Sequence, residues 1–358
     1  MANIPDLSVA IVTYNSHALI VACLDALFTT TGGLDIQVFV VDSGSTDKTA
    51  DLVAERYRQV NLIRTNNIGF SAGNNLALPH CTGARIMLLN PDTVVHEGAI
   101  TALMNYLDRN PGSGAVGARL QWENGQIQDH CAHNLPTAWN MLLWLFLLDQ
   151  LEMRVRFHGR RTRSAIPPRA TLFDGFALRS WTRDRSTEVR YLSGASLMMR
   201  REVFDQIGLL DASSPLYLDD IDYCRRIQDG GWKLHYVSEA VITHHWQQSS
   251  SSLRREADFY ALLCHSIWIY LRKHEGKTAA RIFCAGAFTA GLLRRIFCAI
   301  GGWPAGPAAR QSWQRWAEMS KALLHWSLLS PKAPPPLNFV PQAVAPIAED
   351  FFATRRSL

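Results

Sequence analysis

The sequence predicts an α/β protein whose mostly parallel central sheet carries helices on both faces. Over the first 120 residues, short apolar runs alternate with stretches in which apolar residues recur at helical spacing. This alternation is typical of parallel strands joined by helices. Polar residues directly follow several of the runs, which places them at strand ends. From residue 251 onward the pattern is helical, and this predicts a C-terminal helical extension.

The elements of the first half follow from these patterns. The first strand, Leu7 to Val12, ends in Thr13-Tyr14-Asn15 and leads into a helix that stops at Thr31-Gly32-Gly33. Asp47 can cap the helix that follows the second strand. An apolar run closed by Asn90-Pro91-Asp92 indicates a buried strand that ends abruptly. Further strands are predicted at 36–41, 60–63, 86–89 and 115–120.

The second half is less regular. The segment 121–190 combines an apolar block, an arginine block and two adjacent prolines, which predicts an insertion. Strand and helix patterns return at Tyr191 and continue to Val237, and a further apolar run ends in His244-His245. A helical pattern then covers 251–330, and the Pro-rich segment 331–358 is predicted to be a tail.

Composition narrows the class of protein. The 358 residues are 47% hydrophobic and 19% charged, which supports a sizeable core and excludes a disordered chain. Seven cysteines occur without a CxxC pair, so neither a disulfide framework nor a structural zinc site is expected. The same observation predicts that the protein works in a reducing compartment. No secretory signal is evident at the N-terminus. We therefore expect a cytoplasmic protein that could lie at the inner face of the cytoplasmic membrane.

Two apolar segments could touch a membrane. Residues 139–148 are followed by arginines clustered at 154–169, and residues 282–303 include several aromatic residues. Apolar residues beside clustered arginines favour lipid headgroups or phosphates as the partner, and no nucleic acid is expected. The alternative, in which these segments are ordinary buried helices, is open.

Polar residues at three predicted strand ends should converge, because ligands bind at the carboxyl ends of strands in open α/β sheets. They follow the first strand (Thr13, Tyr14, Asn15), the second (Asp42, Ser43) and the fourth (Asn90, Asp92). A carboxylate at such an end, Asp92, could hold a divalent cation against a diphosphate. The loop 66–75 adds amides and glycines that suit phosphate or ribose oxygens. Each residue alone is also explained as a turn former.

Asp219, Asp220 and Asp222 place three carboxylates within four residues. Their mutual repulsion would raise at least one pKa if they are partly buried, which favours a general base at Asp219 or Asp220. The alternative is a solvated start of a helix, with Asp222 as a cap. His244 ends an apolar run and could complete a metal site with Asp92, although a histidine at a strand end is more often structural. His130 and His133 lack a suitable fourth metal ligand and are interpreted as incidental.

Seven segments together resemble family 2 glycosyltransferases of GT-A fold, in particular the bacterial rhamnosyltransferase-like branch. They appear in the order of that family over residues 7–250. The segments are VAIVTYNS (9–16), VVDSGSTD (40–47), NNIGFSAGNN (66–75), LLNPDT (88–93), YLSGASLMMRREVFDQIGLLD (191–211), LDDIDYCRRIQDGGW (218–232) and VITHHWQQSS (241–250).

The resemblance implies specific roles. Residues 1–120 would bind the nucleotide sugar, residues 121–250 would hold the acceptor and the catalytic groups, and 251–330 would be a helical extension. Asp92 would bind Mg2+ or Mn2+ through the diphosphate, with His244 near the metal and Asn90 in place of the usual first carboxylate. Asp220 would be the general base, and Asp219 stands where Glu is common. The donor would be a dTDP-, UDP- or GDP-sugar, bound by Thr13, Tyr14, Asn15, Asp42, Ser43, Asn67, Gly69, Asn74 and Asn90.

The implied activity is inverting, metal-dependent transfer of a sugar such as rhamnose to a saccharide or lipid-linked saccharide in cell-envelope polysaccharide synthesis. Two other classes compete with it. A dinucleotide-dependent oxidoreductase would share the sheet, but no G-x-G-x-x-G follows the first strand. A non-catalytic sugar-nucleotide or polysaccharide binder would need no base, and the carboxylates at 219 and 220 argue against it.

Overall fold

The computed structural model describes residues 4–146, 181–214, 217–245, 256–300 and 307–328. Within these ranges, nine strands form one sheet in the order β3-β2-β1-β4-β10-β6-β11-β5, with β8 also paired to β11. Two short strands, β7 and β9, pair separately. The strands are β1 (Leu7–Thr13), β2 (Ile36–Ser43), β3 (Asn61–Thr65), β4 (Arg85–Leu89), β5 (Thr93–Val95), β6 (Ser113–Gln121), β7 (Ala132–His133), β8 (Thr187–Val189), β9 (Tyr191–Leu192), β10 (Ser196–Arg200) and β11 (Lys233–His244).

Most strands of the sheet point the same way, as the sequence predicts. Strands β1 to β4 pair with one another in parallel, and β6 pairs in parallel with β11. Strand β10 runs against both β4 and β6, and the short β5 and β8 run against β11. All seven residues of β1 are buried. Side chains alternate between the two faces of a strand, so both faces of the sheet centre are covered.

The helices that cover the sheet begin close to the predicted positions. Helix α1 follows β1 and buries Ile20, Cys23, Leu24 and Leu27 at helical spacing. The helices are α1 (His17–Thr30), α2 (Thr49–Arg56), α3 (Phe70–Ala77), α4 (Ala99–Arg109), α5 (Ala138–Leu145), α6 (Arg201–Ile207), α7 (Asp219–Asp229), α8 (Glu256–His274), α9 (Gly276–Ile300) and α10 (Pro307–Leu328).

Strand β11 corrects one detail of the sequence prediction. Two apolar runs, 232–237 and 241–245, were expected to be separate, but they form one strand with an irregular register between Val237 and Val241. The first part of the strand pairs with β6 and β8, and the last part pairs with β6 and β5. The irregularity lets one continuous strand carry His244 to the same edge of the sheet as the end of β4.

The apolar segment 139–148 is a packed helix in its described part. Met141, Leu143 and Leu145 are buried in α5, and Leu142 lies against Gly286 of α9, where a Cβ atom would come within 2.1 Å of the Leu142 side chain. Trp144 stacks on Tyr260 of α8. The alternative of a buried helix is therefore correct for 138–145, although its neighbours are the C-terminal helices. The arginine cluster at 154–169 and the tail 331–358 lie outside the described residues.

The described part of the C-terminal extension is helical, as predicted; α8 to α10 pack on one another, and α9 packs on α5. Within the described residues, helix α9 has 25 residues and is long and apolar enough to cross a membrane by length and composition alone. The residues of α9 that face the protein are Ala280, Phe283, Ala287, Ala290 and Gly291.

Asp222 joins the extension to the rest of the protein. Its buried carboxylate lies 2.7 Å from the Lys273 amine and 2.6 Å from the His274 ring at the end of α8, and 2.9 Å from Arg226 Nε. Burial opposes ionisation of Asp222, but hydrogen bonds from His274 and Lys273 outweigh it and lower the pKa of the carboxyl. The cap hypothesis for Asp222 is therefore wrong, since the residue lies in the first turn of α7 and binds basic side chains.

We expect Asp222→Ala to lower the free energy of unfolding by about 2–3 kcal/mol, because it removes a buried carboxylate that binds the half-buried His274 and Arg226 and the more exposed Lys273. Urea unfolding at pH 7 measures the change. Asp229→Ala is the matched control on the same helix, since its pair with Arg225 is exposed and should contribute less than about 0.5 kcal/mol. Equal destabilisation by the two variants would contradict the role of Asp222.

Candidate active site

The strand-end residues of the first half lie together at one edge of the sheet. Thr13 and Asp42 are direct neighbours in the pairing of β1 with β2, and β4 lies on the other side of β1. The carboxyl ends of these three parallel strands therefore meet, with Asn90 and Asp92 directly after β4. The sequence predicted this convergence, and the geometry is that of a ligand site in an open α/β sheet.

Two of the predicted ligand residues hold loops in place. Asn15 has a positive φ of 47°, its Oδ1 atom accepts a hydrogen bond of 2.8 Å from the Thr46 amide, and its own amide donates to Ser45. The hydroxyl of Ser43 accepts a hydrogen bond of 3.2 Å from the Ile68 amide. These contacts join the ends of β1, β2 and β3. Asn15 and Ser43 thus hold the loops at this edge of the sheet in place, and Tyr14 is half-buried.

Four other predicted residues carry buried polar atoms that have no hydrogen-bond partner among the described residues. Such atoms are few in folded proteins and cost about 1–3 kcal/mol each when left unpaired. Other described residues also carry such atoms, but the convergence of these four at one sheet edge favours a ligand site there. The atoms are Thr13 Oγ1, Asp42 Oδ2, Asn74 Oδ1 and Asp92 Oδ1.

The loop 66–75 leads into α3 beside these atoms. Gly69 directly precedes α3, and the exposed Asn67 accepts a hydrogen bond of 3.3 Å from the Gly69 amide. Asn74 lies in the helix, where its Nδ2 group donates to the Phe70 carbonyl at 3.0 Å. That bond fixes the side-chain amide and leaves its oxygen for another donor. The loop therefore contributes an oriented acceptor at Asn74 and an accessible amide at Asn67.

Asn90 and Asp92 link the two halves of the sheet. The Asn90 amide donates to the Ala195 carbonyl at 3.1 Å, which ties the end of β4 to the start of β10. Asp92 is buried, and its Oδ1 atom lies 3.3 Å from His244 Nε2. Asn90 Nδ2 lies 3.4 Å from the same ring nitrogen. The structure thus brings Asn90, Asp92 and His244 together, as the resemblance implied.

Gln128 is a site residue that the sequence analysis missed. It is buried after β6, and its side-chain amide contacts His244 twice: Nε2 donates to the His244 carbonyl at 2.7 Å, and Oε1 lies 3.0 Å from His244 Nδ1. The two residues are 116 positions apart in the chain. No local pattern connects them, because the contact arises only from the pairing of β6 with β11.

The paired carboxylates lie at the start of α7. Asp220 Oδ2 accepts hydrogen bonds from Tyr191 Oη at 2.7 Å and from the Gly194 amide at 3.0 Å, and Oδ1 accepts from the Ile221 amide at 2.9 Å. A Cβ atom on residue 194 would lie 3.2 Å from that of Asp220, so the close approach favours glycine there. Asp219 accepts a hydrogen bond from Ser71 of α3.

The environment makes Asp220 a weak acid that can act as a base near neutral pH. Burial, and then repulsion from Asp219, raise the pKa of Asp220 to about 7, although its three hydrogen bonds favour the anion. Burial also raises the pKa of Asp219. Leu218 and Ile221 are buried on either side. The sequence-based expectation of at least one raised pKa in this cluster is therefore supported by the geometry.

His133 lies closer to this site than the sequence suggested. Strand β7 pairs with β9, and this places the His133 ring on the Tyr191 ring with centroids 3.8 Å apart. His133 Nδ1 also contacts the Asn134 carbonyl, and burial lowers the pKa of the ring well below its usual value. Its interpretation as incidental is incomplete, because His133 stacks on the tyrosine that binds Asp220.

Comparison with known proteins places most of the chain in one family. A family model described as glycosyltransferase like family 2 matches residues 5–258. The N-acetylglucosaminyl-diphospho-decaprenol L-rhamnosyltransferase of Mycobacterium tuberculosis is 26% identical over 262 residues, which are 67% of this chain and 76% of the relative. The rhamnosyltransferase WbbL of Escherichia coli is 19% identical over 212 residues, covering 57% and 71% of the two chains.

A solved structure supports the fold. The mannosyltransferase PcManGT from Pyrobaculum calidifontis, in complex with GDP-Man and Mn2+, superposes with a TM-score of 0.51 at 17% sequence identity. The match covers 91% of this chain and 87% of that protein. At this level of identity the similarity concerns the GT-A-like fold alone.

We expect Tyr191→Phe to raise the pKa of Asp220 by about half a unit to one unit, because the lost hydrogen bond, worth about 1 kcal/mol, favours the anion. Titration of 13C-carboxyl-labelled aspartate by NMR measures it, with Asp220→Asn identifying the resonance. Tyr223→Phe is the control, since that buried hydroxyl donates to the Gly208 carbonyl and does not bind Asp220. An unchanged pKa in Tyr191→Phe would contradict this coupling.

Proposed function

The chain belongs to glycosyltransferase family 2, and from this premise we propose that it transfers a sugar from a nucleoside-diphosphate sugar to a hydroxyl of a lipid-linked saccharide. The reaction inverts the anomeric centre, depends on Mg2+ or Mn2+, and serves cell-envelope polysaccharide synthesis. The observation that carries the proposal is the set of unpaired buried polar atoms on Thr13, Asp42, Asn74 and Asp92 at the sheet edge that also holds Asp220.

The donor binds along the ends of β1, β2 and β4. Asp42 and Thr13 are adjacent, and their unpaired oxygens suit the base and ribose of a nucleotide. Tyr14 follows Thr13 at the same strand end, and Asn67, Gly69 and Asn74, from the loop before α3 and from α3 itself, would also contact the donor. A hydrogen-bond acceptor that lacks a partner in the free protein gains a hydrogen bond when a ligand binds. These residues therefore favour a ligand rich in hydroxyl and N–H groups.

The residues present fit a divalent cation. Asp92 Oδ1 makes no hydrogen bond among the described residues, and it faces the ring nitrogen of His244 at 3.3 Å. Within the described ranges there is no group of three or more His, Cys, Asp or Glu residues that could hold a metal by itself. Asp92 and His244 would therefore share the cation with the donor diphosphate, and the cation would stabilise negative charge on the departing nucleoside diphosphate.

Asp220 is the general base of the proposed reaction. Its carboxylate accepts the proton of the acceptor hydroxyl, whose oxygen forms a bond to the anomeric carbon as the bond from that carbon to the diphosphate oxygen breaks. A single displacement inverts the anomeric configuration. Hydrogen bonds from Tyr191 and Gly194 hold the Asp220 carboxylate in place. Burial and the nearby Asp219, which is bound by Ser71, keep the pKa of Asp220 near neutrality.

The nature of the acceptor rests on a relative. The name of the M. tuberculosis protein specifies an N-acetylglucosaminyl-diphospho-decaprenol, which is a lipid-linked saccharide, and L-rhamnose as the transferred sugar. L-Rhamnose is accordingly the first donor sugar to test, as its dTDP derivative. We also propose action at the cytoplasmic face of the membrane, where the seven free cysteines are compatible with a reducing compartment.

A non-catalytic sugar-nucleotide binder is the second candidate function. It would bind the nucleotide sugar with the same residues. This function would not explain a buried pair of carboxylates whose ionisation lowers the stability of the protein. Burial of Asp219 and Asp220 raises both pKa values, so their ionisation disfavours the folded state as the pH rises toward neutrality. Such a cost is typical of catalytic groups.

We expect Asp220→Asn to reduce sugar transfer by about 10³-fold or more, because it removes the proton acceptor, while donor affinity stays within about twofold. Transfer is measured with dTDP-, UDP- and GDP-sugars, and donor binding by thermal shift with Mg2+ or Mn2+. Asp229→Asn, at an exposed position of the same helix, is the control.

Loss of donor affinity equal to the loss of transfer would refute the assignment of Asp220 as the base. If the wild-type protein is not stabilised by any of the nucleoside diphosphates with metal, the transferase proposal itself fails. Binding without turnover in the wild-type protein would favour the second candidate.

A further inference from the structure

Helix α9 exposes a continuous apolar face. Seven large apolar side chains on it are between 36% and 79% exposed, and most of them recur at intervals of three, four or seven residues, which places them on one side of the helix. This face is defined by six of them: Ile282, Phe288, Leu292, Leu293, Ile296 and Ile300. Exposed apolar surface of this extent marks an interaction surface in a soluble domain.

The opposite side of α9 fixes the helix to the protein. Phe283 and Ala287 are buried there, and Arg294 donates to the Leu145 carbonyl of α5 at 2.6 Å. Only 28% of the most apolar stretch of α9 is buried, which is unlike a core helix. Because one side packs on the domain and the other is apolar and exposed, the helix is suited to lie along a bilayer surface with its apolar face in contact with lipid.

The charge of α9 identifies the partner. Residues 276–300 contain no Asp or Glu, and Lys277, Arg281 and Arg295 are exposed. A helical wheel places these basic residues along one edge of the apolar face. Apolar side chains bordered by cations, without acidic residues, match the acyl boundary and anionic headgroups of a membrane.

We propose that this face of α9 docks the protein on an anionic lipid bilayer. Helix α8 directly precedes α9 and binds Asp222 through Lys273 and His274, two residues after Asp220. Membrane contact is thus linked through packed helices to the helix that carries the base. The acceptor part of this inference rests on the proposed function, since a lipid-linked acceptor would enter from that surface.

The test is sedimentation with vesicles of phosphatidylglycerol and phosphatidylcholine, compared with phosphatidylcholine alone. We expect binding to the anionic vesicles that falls at least tenfold in Leu293→Ser/Ile296→Ser and in Lys277→Gln/Arg281→Gln/Arg295→Gln. Matched controls make the same changes at exposed positions elsewhere: Leu76→Ser/Leu209→Ser and Arg58→Gln/Arg109→Gln/Arg190→Gln.

Three outcomes would overturn the docking proposal: no vesicle binding by the wild-type protein, equal loss in variant and control, or a wild-type dimer that the serine variants convert to a monomer. Stabilisation by nucleoside diphosphate and metal is measured on each variant and should be unchanged. Vesicle binding without donor binding would leave the docking surface intact and refute the proposed function, so the two failures are distinguishable.

A second inference concerns Gln128 and stands on separate contacts. A carbonyl oxygen only accepts hydrogen bonds, so the group of Gln128 that faces the His244 carbonyl must be its NH2. The oxygen of the same amide then faces His244 Nδ1, which must carry a hydrogen. In the neutral ring the lone pair is consequently on Nε2, the nitrogen that lies 3.3 Å from Asp92 Oδ1 and 3.4 Å from Asn90 Nδ2.

The geometry points to Gln128 as a positioning residue for the cation site. If the amide oxygen of Gln128 were absent, the Asp92 carboxylate would attract the hydrogen of the His244 ring to Nε2. That hydrogen would block the ring nitrogen that faces Asp92. Gln128 keeps that nitrogen available for the cation, and this inference rests on the metal site of the proposed function. Orientation of a ligating histidine through its second nitrogen commonly changes metal affinity 10- to 100-fold.

We expect Gln128→Met to weaken Mn2+ binding in the presence of nucleoside diphosphate by about tenfold or more, measured as free Mn2+ by electron paramagnetic resonance. In 15N spectra of labelled histidine at pH 8, the variant should gain the tautomer protonated at Nε2. Gln126→Met, at an exposed position before Gln128, is the control, and Gln128→Glu should retain the Nδ1–H tautomer because it keeps the acceptor.

Unchanged Mn2+ affinity in Gln128→Met, or a wild-type ring protonated at Nε2, would overturn the inference. Failure of the proposed metal site has a different signature, since neither the wild-type protein nor Asp92→Ala would then bind Mn2+ with any nucleoside diphosphate. The 15N spectrum still tests Gln128 in that case.

Discussion

The antiparallel pairing of β10 with β4 is the interaction on which the site depends. Ser196 pairs with Leu89, and the Asn90 amide binds the Ala195 carbonyl. This register brings the start of β10 to the end of β4, so the turn that carries Gly194 lies at the edge that holds Asp92. A shift of one residue would turn every side chain of β10 to the other face of the sheet and separate the base from the donor half.

Strand β10 also explains why a mixed sheet serves this function. Parallel strands alone bring only their carboxyl ends to the ligand edge. By inserting one reversed strand, the chain adds the residues before that strand, Tyr191 to Ala195, to the same edge. Tyr191 and Gly194 then bind Asp220, and Ser71 of α3 binds Asp219 across 148 residues of sequence. The two halves of the chain are joined through the carboxylates of Asp219 and Asp220, for which we propose a catalytic role.

The site contains groups that reduce the stability of the folded protein locally. Four unpaired polar atoms and two carboxylates with raised pKa values are buried at one edge. Compensating contacts lie just outside it, in the Asp222 cluster on the far side of the first turn of α7 and in the apolar packing of α5 with α9. The C-terminal helices therefore stabilise the helix that carries Asp220, and in our proposal they also set its orientation toward the membrane.

The sequence by itself determined the features that are local in the chain. Apolar runs that end in Thr13, Asp42 and Asn90-Pro91-Asp92 marked the strands and the ligand edge, because strand direction in an alternating α/β pattern follows from short-range periodicity. The acidic cluster at 219–222 and the helical extension were equally visible. Tertiary structure alone decided the contacts of Gln128 with His244 and of His133 with Tyr191, since each depends on pairing between strands far apart in sequence. It also decided the packing of the described parts of the two apolar segments: periodicity shows that a helix has an apolar face, but only tertiary packing determines that α5 buries it and α9 leaves it exposed.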